Sequence, residues 1–489
     1  MNIRREEEMN FFINKAMGIG NSGVEHAQFY RARCFEKVQL PYKYVFVELV
    51  KNLHEAMDAW DIPDNKVINM WELFVFGKDY LKTGAKKSYE HKEEILLDFT
   101  NTHRIKETIT SSGMLIVEHL EKSPSKKKEN LLLVSTYKIE LFDYKTMERK
   151  VMFEYIEHKN RGRLLSNIHL FDFEGEHLFF RTEVLLQRYF FEYLASQFEG
   201  VKNFVIDRGQ ESESALFNHK PADTNIIEII HADHLSDRDV STAPLWNNYY
   251  EYLLTHMEMA DRVVVATELQ KQDLLIDFPE ETEKIWAIPV GGIRDQDIHK
   301  KQEPIRHVPI QKFITVSRLA SEKHIDIVIQ AICEVKKIFP DISLDIYGQG
   351  GEDGKLRKLI QEMDAESYIA LKGHSNQMNQ IYPKYDAFIS GSYSEGFGLT
   401  YIEALDAGLP IVTFKARFGA VELIKNGVNG FLKDFSRTNE EYSKEQLTEG
   451  IIQLLESEQQ KIIDQTRDSV KEYQDSIIAN KWKELINGL

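Results

Sequence analysis

The sequence is poor in cysteine and has no long apolar run. Its two cysteines, Cys34 and Cys333, lie far apart and neither belongs to a CxxC or Cys/His cluster, which argues against a disulfide framework or a zinc site and favours a reducing compartment. No uncharged apolar stretch is long enough to span a bilayer, and the N-terminus MNIRREEEMNFF lacks the apolar core of a signal peptide. These absences predict a cytoplasmic protein, with peripheral attachment to a membrane left open.

Positive charge is also scarce. The formal net charge is -17 at pH 7, which argues against a nucleic-acid surface because phosphate neutralisation needs a clustered excess of Lys and Arg. A small anionic ligand needs only a local cluster and remains compatible with this charge.

Length and periodicity predict the domain organisation. The 489 residues, 42% of them hydrophobic, predict two or three domains. A strand (FFIN), a glycine-containing turn (GIGNSG), a helix-like segment (VEHAQFYRARCF) and a second apolar run (YKYVFVELV) form a β-loop-α-β opening. From about Tyr80 to about His177, apolar and polar residues alternate at near period two, which predicts an antiparallel sheet inserted into the first domain.

An α/β pattern then resumes. Apolar runs such as KNFVIDRG and TNIIEIIHADH alternate with helix-like segments, among them 246–260, and a second series begins with KFITVSR after a charged linker near 298–308. The expected fold class is α/β: two doubly wound, Rossmann-like domains that face a cleft, with a β-rich insertion in the first. Such sheets bind ligands at the carboxyl ends of their strands. The expected boundaries are 9–75 and 191–303 for the N-terminal domain, 76–190 for the insertion, 304–472 for the C-terminal domain and 473–489 for a final helix.

Two cations follow the first strand of the second series. Arg318 and Lys323 lie five residues apart in the loop TVSRLASEKH. A diphosphate is bound well by an Arg fork, which supplies bidentate geometry, and a Lys point charge. The alternative is an exposed pair without a ligand.

The stretch GSYSEGFGLTYIEALDAGLP is the strongest candidate element. A helix is expected to start at Leu399, with amides that can meet an anion or a sugar hydroxyl. If the helix extended back to residue 396, Glu395 and Glu403 would lie about 10 to 12 Å apart, too far for a hydrolytic pair that flanks one bond. At that separation the two carboxylates are suited to binding two parts of one extended ligand. The alternative is that one glutamate caps the helix and the other is an exposed helical residue. The glycines that keep this backbone uncovered are Gly391, Gly396 and Gly398.

Other segments carry weaker signals. Gly373 and His374 end the strand YIALKGH and can present groups to a nucleobase edge, and YGQGG allows close backbone approach. In the first domain, the turn with Gly20, Ser22 and Gly23 precedes a helix and can receive a phosphate or an acceptor group, although it lacks the GxGxxG spacing.

A histidine and two acidic tripeptides complete the candidates. His231 follows an apolar strand and can bind a substrate hydroxyl, although a structural histidine is the alternative. The tripeptides DRD (237–239) and DQD (295–297) resemble a metal-binding DxD but follow no apolar strand, so no metal is expected.

These motifs resemble the retaining GT-B glycosyltransferases of family 4. The segment EGFGLTYIE reproduces the E-x7-E motif of that family, and SRLASEK matches its phosphate clamp; the specific match covers about 300–475. The insertion, GIGNSGVEHAQFYRA and WNNYYEYLLTH resemble the branch of two-component bacterial enzymes that glycosylate serine-rich adhesins of the accessory Sec system. The first-domain turn reads NSG where many members have GG.

The resemblance implies a UDP-sugar donor and no cofactor. It assigns the diphosphate to Arg318 and Lys323, the ribose to Glu403, and the donor sugar to Glu395 and the backbone of 397–400. His231 would lie near the 6-hydroxyl of the sugar. The catalytic residues implied are Glu395, His231, Arg318 and Lys323. The donor-binding residues expected are Gly20, Ser22, Gly23, Arg318, Lys323, Gly373, His374, Glu395, Phe397, Gly398, Leu399, Thr400 and Glu403.

The implied reaction is transfer of N-acetylglucosamine from UDP-N-acetylglucosamine to Ser/Thr hydroxyls of a serine-rich adhesin. A homologous non-catalytic partner subunit would bind through the inserted β domain. One alternative is modification of a cell-wall polymer such as teichoic acid, in which the insertion would serve self-assembly. A second is a non-catalytic subunit that holds the substrate.

Overall fold

The computed structural model describes residues 8–19, 23–98, 100, 102–125, 130–159, 162–237, 243–295 and 308–489. Two compact units are present: unit 1 comprises 1–28, 39–229 and 248–262, and unit 2 comprises 29–38, 230–247 and 263–489. None of the described helices is both long enough and apolar enough to cross a membrane.

The opening of the chain folds as strand, helix and strand, as expected. The elements before the insertion are β1 (Met9–Asn14), α1 (Gly23–Lys37), β2 (Tyr42–Phe46), α2 (Leu53–Ala59), β3 (Val67–Asn69), α3 (Met70–Phe76) and α4 (Tyr80–Thr83). In β1, Phe11, Phe12 and Ile13 are fully buried. An apolar run buried on both faces is typical of a central parallel strand.

The inserted sheet is antiparallel, which confirms the sequence expectation. Its strands are β4 (Lys92–Asp98), β5 (His103–Ile109), β6 (Met114–Pro124), β7 (Leu132–Asp143), β8 (Glu148–His158), β9 (Gly162–Phe173) and β10 (Glu176–Thr182). Consecutive strands are neighbours throughout, so the sheet is a meander. Its buried end includes Ile116, Leu141 and Phe153, whereas Leu132 and Val134 at the other end are exposed.

The chain then returns to alternating helices and strands. These elements are α5 (Glu183–Ser196), β11 (Lys202–Ile206), α6 (Gln210–Asn218), β12 (Thr224–Ile230), β13 (Leu235–Asp237), β14 (Leu245–Trp246), α7 (Glu251–Thr255), β15 (Arg262–Val265), α8 (Glu268–Asp277) and β16 (Ile285–Ala287). Within unit 1 the strands β12, β11, β1, β2 and β3 are neighbours in that order and parallel.

The long helix expected over 246–260 is wrong. Only α7 and a short 3-10 helix, Met257–Met259, form in that segment. Trp246 instead pairs with Leu235 in the ladder of β13 and β14. The tertiary pairing of the tryptophan overrides the apolar periodicity at the start of the segment.

The C-terminal part of unit 2 forms a second parallel sheet. Its elements are β17 (Lys312–Val316), α9 (Ile325–Lys336), β18 (Ser343–Tyr347), α10 (Asp353–Glu362), β19 (Ile369–Gly373), α11 (Met378–Ile381), β20 (Ala387–Ile389), α12 (Leu399–Asp406), β21 (Ile411–Phe414), α13 (Gly419–Leu423), β22 (Gly430–Lys433), α14 (Glu440–Glu456), α15 (Gln459–Asp468) and α16 (Asp475–Asn487). The strand order is β19-β18-β17-β20-β21-β22. The order reverses direction at β17, where ligands of doubly wound sheets bind.

Candidate functional site

The loop between β20 and α12 is held by backbone contacts to the segment after β21. The amide of Glu395 donates to the carbonyl of Arg417 at 2.9 Å, and the amides of Phe418 and Gly419 donate to the carbonyl of Glu395 at 2.6 and 2.9 Å. A Cβ on Gly419 would lie 1.8 Å from the carbonyl oxygen of Phe397, so only glycine fits there. These contacts therefore fix the position of the backbone around Glu395.

Lys323 and Glu395 form an ion pair. The Lys323 Nζ lies 2.5 Å from Glu395 Oε1, and their side chains are only 17% and 18% exposed. The two loops can approach because residue 391 is a glycine: a Cβ there would lie 2.4 Å from the His324 carbonyl oxygen. One cation and one carboxylate of the sequence-predicted set, 72 residues apart, thus meet at the carboxyl ends of β17 and β20.

His231 lies beside the same loop. It directly follows β12, as expected, and its carbonyl oxygen would be 2.4 Å from a Cβ on Gly396. Gly396 thus lets the loop pack against the His231 backbone. The structure brings together Lys323, His231 and Glu395.

The helix α12 begins at Leu399, which confirms the predicted start. Gly398 precedes it in the left-handed region, at φ 86°, and no side chain caps the helix. Because residues 396–398 are not helical, the separation of 10 to 12 Å derived for a helix from 396 does not apply. Phe397 is buried, whereas Leu399 and Thr400 are half-buried at the first turn, where the amides can meet an oxygen-rich ligand.

Glu403 has a partner that the sequence analysis missed. The hydroxyl of buried Tyr382 donates to Glu403 Oε2 at 3.0 Å. Solvent reaches the Glu403 side chain, but the surrounding protein displaces bulk water, and this desolvation raises the pKa of the carboxyl while the Tyr382 hydrogen bond lowers it. A solvent-accessible carboxylate with an oriented oxygen is suited to accept hydrogen bonds from sugar hydroxyls.

Arg318 does not join the Lys323 pair. Its guanidinium bonds Glu322 at 2.8 Å and its side chain is 68% exposed. An exposed pair of this kind contributes little and exchanges readily. Of the two predicted diphosphate-binding cations, Lys323 therefore lies beside Glu395 and Arg318 pairs with Glu322 instead.

Gly373 and His374 lie at the end of β19, as expected. Among the described residues, the hydrogen bonds that they make do not involve Lys323 or Glu395. Gly373 has φ 77°, and exposed His374 bonds Asn376 at 2.6 Å. The neighbouring YGQGG loop lies directly on the loop after β17, because a Cβ on Gly348 would be 1.8 Å from the Ser317 carbonyl oxygen.

Several predicted positions fall outside the described residues. These are Gly20, Ser22, residues 298–307 of the linker, and the last two residues of each DxD tripeptide, 238–239 and 296–297. Gly23 begins α1. Among the described residues, no three His, Cys, Asp or Glu side chains cluster so that they could hold a metal ion.

Three buried carboxyl groups of unit 1 had no sequence signal. Asp207, which follows β11, accepts a hydrogen bond from Gln28 at 2.9 Å, and the charge of Glu228 interacts with those of Asp207 and Glu213. Burial raises the pKa of Glu213 to about 7 and raises the pKa of Glu228 well above its usual range. Desolvation favours the protonated forms of Glu213 and Glu228, and the ammonium of Lys15 offsets this only in part at Glu213.

Comparison with known proteins places the chain among sugar transferases. Residues 295–474 match the family described as glycosyl transferases group 1. The chain is 30% identical to the GtfA subunit of UDP-N-acetylglucosamine–peptide N-acetylglucosaminyltransferase of Streptococcus gordonii, over 97% of each chain. It is 23% identical to the poly(ribitol-phosphate) alpha-N-acetylglucosaminyltransferase of Staphylococcus aureus, over 98% of this chain and 99% of that one.

Two solved structures resemble it over nearly their whole length. The pneumococcal O-GlcNAc transferase GtfA, crystallised with UDP and GlcNAc, has a TM-score of 0.71 at 26% identity, covering 99% of both chains. A chain of the GtfA/B complex has a TM-score of 0.73 at 27% identity, covering 98% of this chain and 99% of that one.

Proposed function

We propose that this protein transfers N-acetylglucosamine from UDP-N-acetylglucosamine to Ser/Thr hydroxyls of a serine-rich adhesin. The chain belongs to the GtfA-subunit family of peptide N-acetylglucosaminyltransferases, and it is therefore a UDP-sugar-dependent glycosyltransferase of the GT-B fold. The observation that carries the proposal is the Lys323–Glu395 pair beside His231. It provides a cation for a phosphate and a carboxylate for sugar hydroxyls in one place.

In the proposed reaction, the cations stabilise the departing diphosphate. Cleavage of the anomeric bond leaves negative charge on UDP, which Lys323 neutralises directly and Arg318 reaches by leaving Glu322. Glu395 and the backbone of 397–400 hold the donor sugar, His231 approaches its 6-hydroxyl, Glu403 binds the ribose, and Gly373 and His374 face the base. Gly20, Ser22 and Gly23 would border the diphosphate and acceptor.

We propose retention of configuration by front-face attack. Glu395 is engaged by Lys323, so it is placed to orient the sugar and to balance charge rather than to form a glycosyl-enzyme bond. The acceptor hydroxyl would attack from the side on which UDP departs, and its proton would pass to a diphosphate oxygen. We keep the domain boundaries expected from the sequence as part of this proposal.

The proposal is tested by offering UDP-sugars with two acceptors. Purified protein, with and without a GtfB-type subunit, is incubated with UDP-GlcNAc, UDP-Glc or UDP-GalNAc and either a Ser/Thr-rich peptide or poly(ribitol phosphate). Mass spectrometry detecting GlcNAc on the peptide alone supports the proposal. Transfer only to the polymer would replace it with the second candidate, which the similarity to the Staphylococcus aureus enzyme favours.

We expect Tyr382→Phe to shift the pH dependence of UDP binding. The Tyr382 hydrogen bond lowers the pKa of Glu403, so its loss raises that pKa further. If ionised Glu403 binds the ribose, affinity falls as pH drops through its pKa, and this fall must occur at higher pH in the variant. Calorimetric titration with UDP between pH 4.5 and 8 measures it, with exposed Tyr442→Phe as the control. Identical profiles in all three proteins would contradict the ribose assignment.

The inserted sheet offers a surface for the proposed partner subunit. At the end opposite its buried residues, apolar side chains remain exposed, with Leu132 59%, Val134 51% and Ile156 47% accessible. Exposed apolar clusters of this kind mark protein interaction sites. A GtfA/B complex is known among the structural relatives, which supports a partner over self-assembly.

We expect Leu132→Lys combined with Val134→Lys to weaken association with a GtfB-type subunit by at least about tenfold, because two charges would have to be desolvated in the interface. Analytical ultracentrifugation of the mixture measures the association, and Glu199→Lys, an exposed position outside the inserted sheet, is the control. UDP affinity should not change. Unaltered association would show that the partner subunit does not bind at this end of the sheet.

A further inference from the structure

A cavity of 210 Å³ lies beside the loop that carries Glu395. It belongs wholly to unit 2, and the donor-binding roles proposed above do not use it. The lining residues that matter are aromatic or charged: Asp233, Tyr393, Lys415, Arg417, Phe435 and Arg437.

Three cations converge on this cavity although the chain is strongly acidic. Among the described residues Arg437 makes no ion pair, and its guanidinium carbon lies 5.8 Å from the centre of the Phe435 ring. Lys415 pairs with Asp434 at 2.8 Å, but both side chains are about half exposed, so a ligand can compete for the ammonium. These two cations have charge available to a bound group.

Arg417 contributes a more fixed guanidinium. One terminal nitrogen bonds Asp273 Oδ2 at 2.6 Å, and its guanidinium carbon lies 4.5 Å from the centre of the Phe418 ring. A guanidinium has five N–H donors, so its remaining edge can bind a second acceptor.

One acid and two rings complete the wall. The Asp233 carboxylate accepts a hydrogen bond from the amide of Leu235 at 3.0 Å, and burial raises the pKa of Asp233 while Arg417 and Arg437 lower it. Tyr393 and Phe435 stack with centroids 4.4 Å apart. The rings offer contact to methylene groups next to a charged head.

The cavity is joined to the donor-sugar loop by the chain itself and by a backbone hydrogen bond. Tyr393 precedes Glu395 by two residues, and the Glu395 amide donates to the Arg417 carbonyl at 2.9 Å. An extended peptide advances by at most about 3.6 Å per residue. A side chain held here would therefore belong to a residue close in sequence to the hydroxyl that reacts.

We propose that this cavity binds an aspartate or glutamate side chain of the acceptor peptide, within a few residues of the hydroxyl that receives the sugar. The inference rests on the proposed peptide acceptor. The Arg forks match a carboxylate, the ammonium adds charge, and the aromatic wall packs on the methylene groups. The cavity thus selects where on the acceptor the sugar is placed.

Three Ser/Thr-rich peptides test the inference, identical except that the residues flanking one serine are Glu, Gln or Lys. The intact protein, with a GtfB-type subunit, is expected to glycosylate the Glu peptide with at least fivefold higher kcat/KM. The double variant Lys415→Gln/Arg437→Gln should bring this ratio to about one without changing UDP affinity. Arg437→Glu should reverse the preference in favour of a Lys-flanked peptide. The exposed double variant Arg357→Gln/Lys358→Gln is the matched control and should keep the parent ratio.

Equal rates for the Glu and Gln peptides in the parent protein, or an unchanged ratio in the double variant, would overturn the inference alone. Loss of transfer to poly(ribitol phosphate), rather than of peptide selectivity, would assign the cavity to a polymer phosphate and also overturn it. No transfer to any peptide would overturn the proposed function and the inference with it.

Discussion

Lys323→Met is expected to lower kcat/KM for UDP-sugar transfer by about 100-fold to 1,000-fold, the range found when one preorganised donor to a developing anion is removed. Lys323 is mostly buried and is paired with Glu395 at 2.5 Å, so water cannot take over its charge efficiently. Steady-state transfer assays and UDP calorimetry measure the loss. Lys337→Met, on an exposed side chain just after α9, is the matched control and should behave as the parent.

A second variant separates the catalytic from the structural role of this pair. Lys323→Met leaves the Glu395 carboxylate without its cation, which should lower the melting temperature. In Lys323→Met/Glu395→Gln the uncompensated charge is gone, so stability should recover while transfer stays low. Recovery of transfer together with stability, or parent-like turnover of Lys323→Met, would show that the pair only supports the fold.

Gly396→Ala is expected to reduce transfer by about 100-fold, because misplacing reacting groups by about 1 Å can cost that much. An added Cβ would lie 2.4 Å from the carbonyl oxygen of His231 and 3.3 Å from the Cα of Ala232. Both obstacles are backbone, so either the Glu395 loop or the His231 segment must move. The Glu395 loop and the His231 segment, which are proposed to hold the sugar, would then no longer have the correct positions relative to each other.

The loss should appear in kcat more than in UDP affinity, since the ribose is proposed to bind Glu403 on α12 and Lys323 extends to the diphosphate from the loop after β17. Transfer kinetics, UDP calorimetry and circular dichroism together distinguish this from misfolding. Gly351→Ala is the matched control, because no atom lies within 4 Å of its added Cβ. A folded Gly396→Ala protein with parent turnover would refute the placement of the sugar at this contact.

Local patterns in the sequence were sufficient for most of the fold. Buried runs such as FFIN predict parallel strands and the alternation from Tyr80 onwards predicts the inserted sheet, because these periodicities reflect which faces of a strand meet the core. The same reasoning failed at 246–260, where Trp246 pairs in a two-stranded ladder instead of joining a helix. Apolar periodicity cannot distinguish these outcomes because it does not show that the preceding segment at Leu235 forms a partner strand.

Local structure near the site was predicted correctly where the signal lay on one segment. The helix start at Leu399 is of this kind, whereas the ligand roles of Glu395 and Glu403 stay predictions. Tyr382 was missed because it reaches Glu403 from a different element, 21 residues earlier. The cavity was missed because Lys415 and Arg417 follow β21, Arg437 follows β22, and the other lining residues lie on further segments, so no single motif contains them.

The sequence alone determined the α/β class, the inserted antiparallel sheet and the residue types available for a diphosphate and a sugar, because strand and helix periodicities and single-segment motifs are local properties of the chain. Only the tertiary structure decided that Lys323 rather than Arg318 pairs with Glu395, that Gly396 packs on His231, and that Lys415, Arg417 and Arg437 share one cavity. The physical reason is that such contacts depend on strand order and on how closely backbones approach one another. Those distances arise when the sheet assembles and leave no trace in residue spacing.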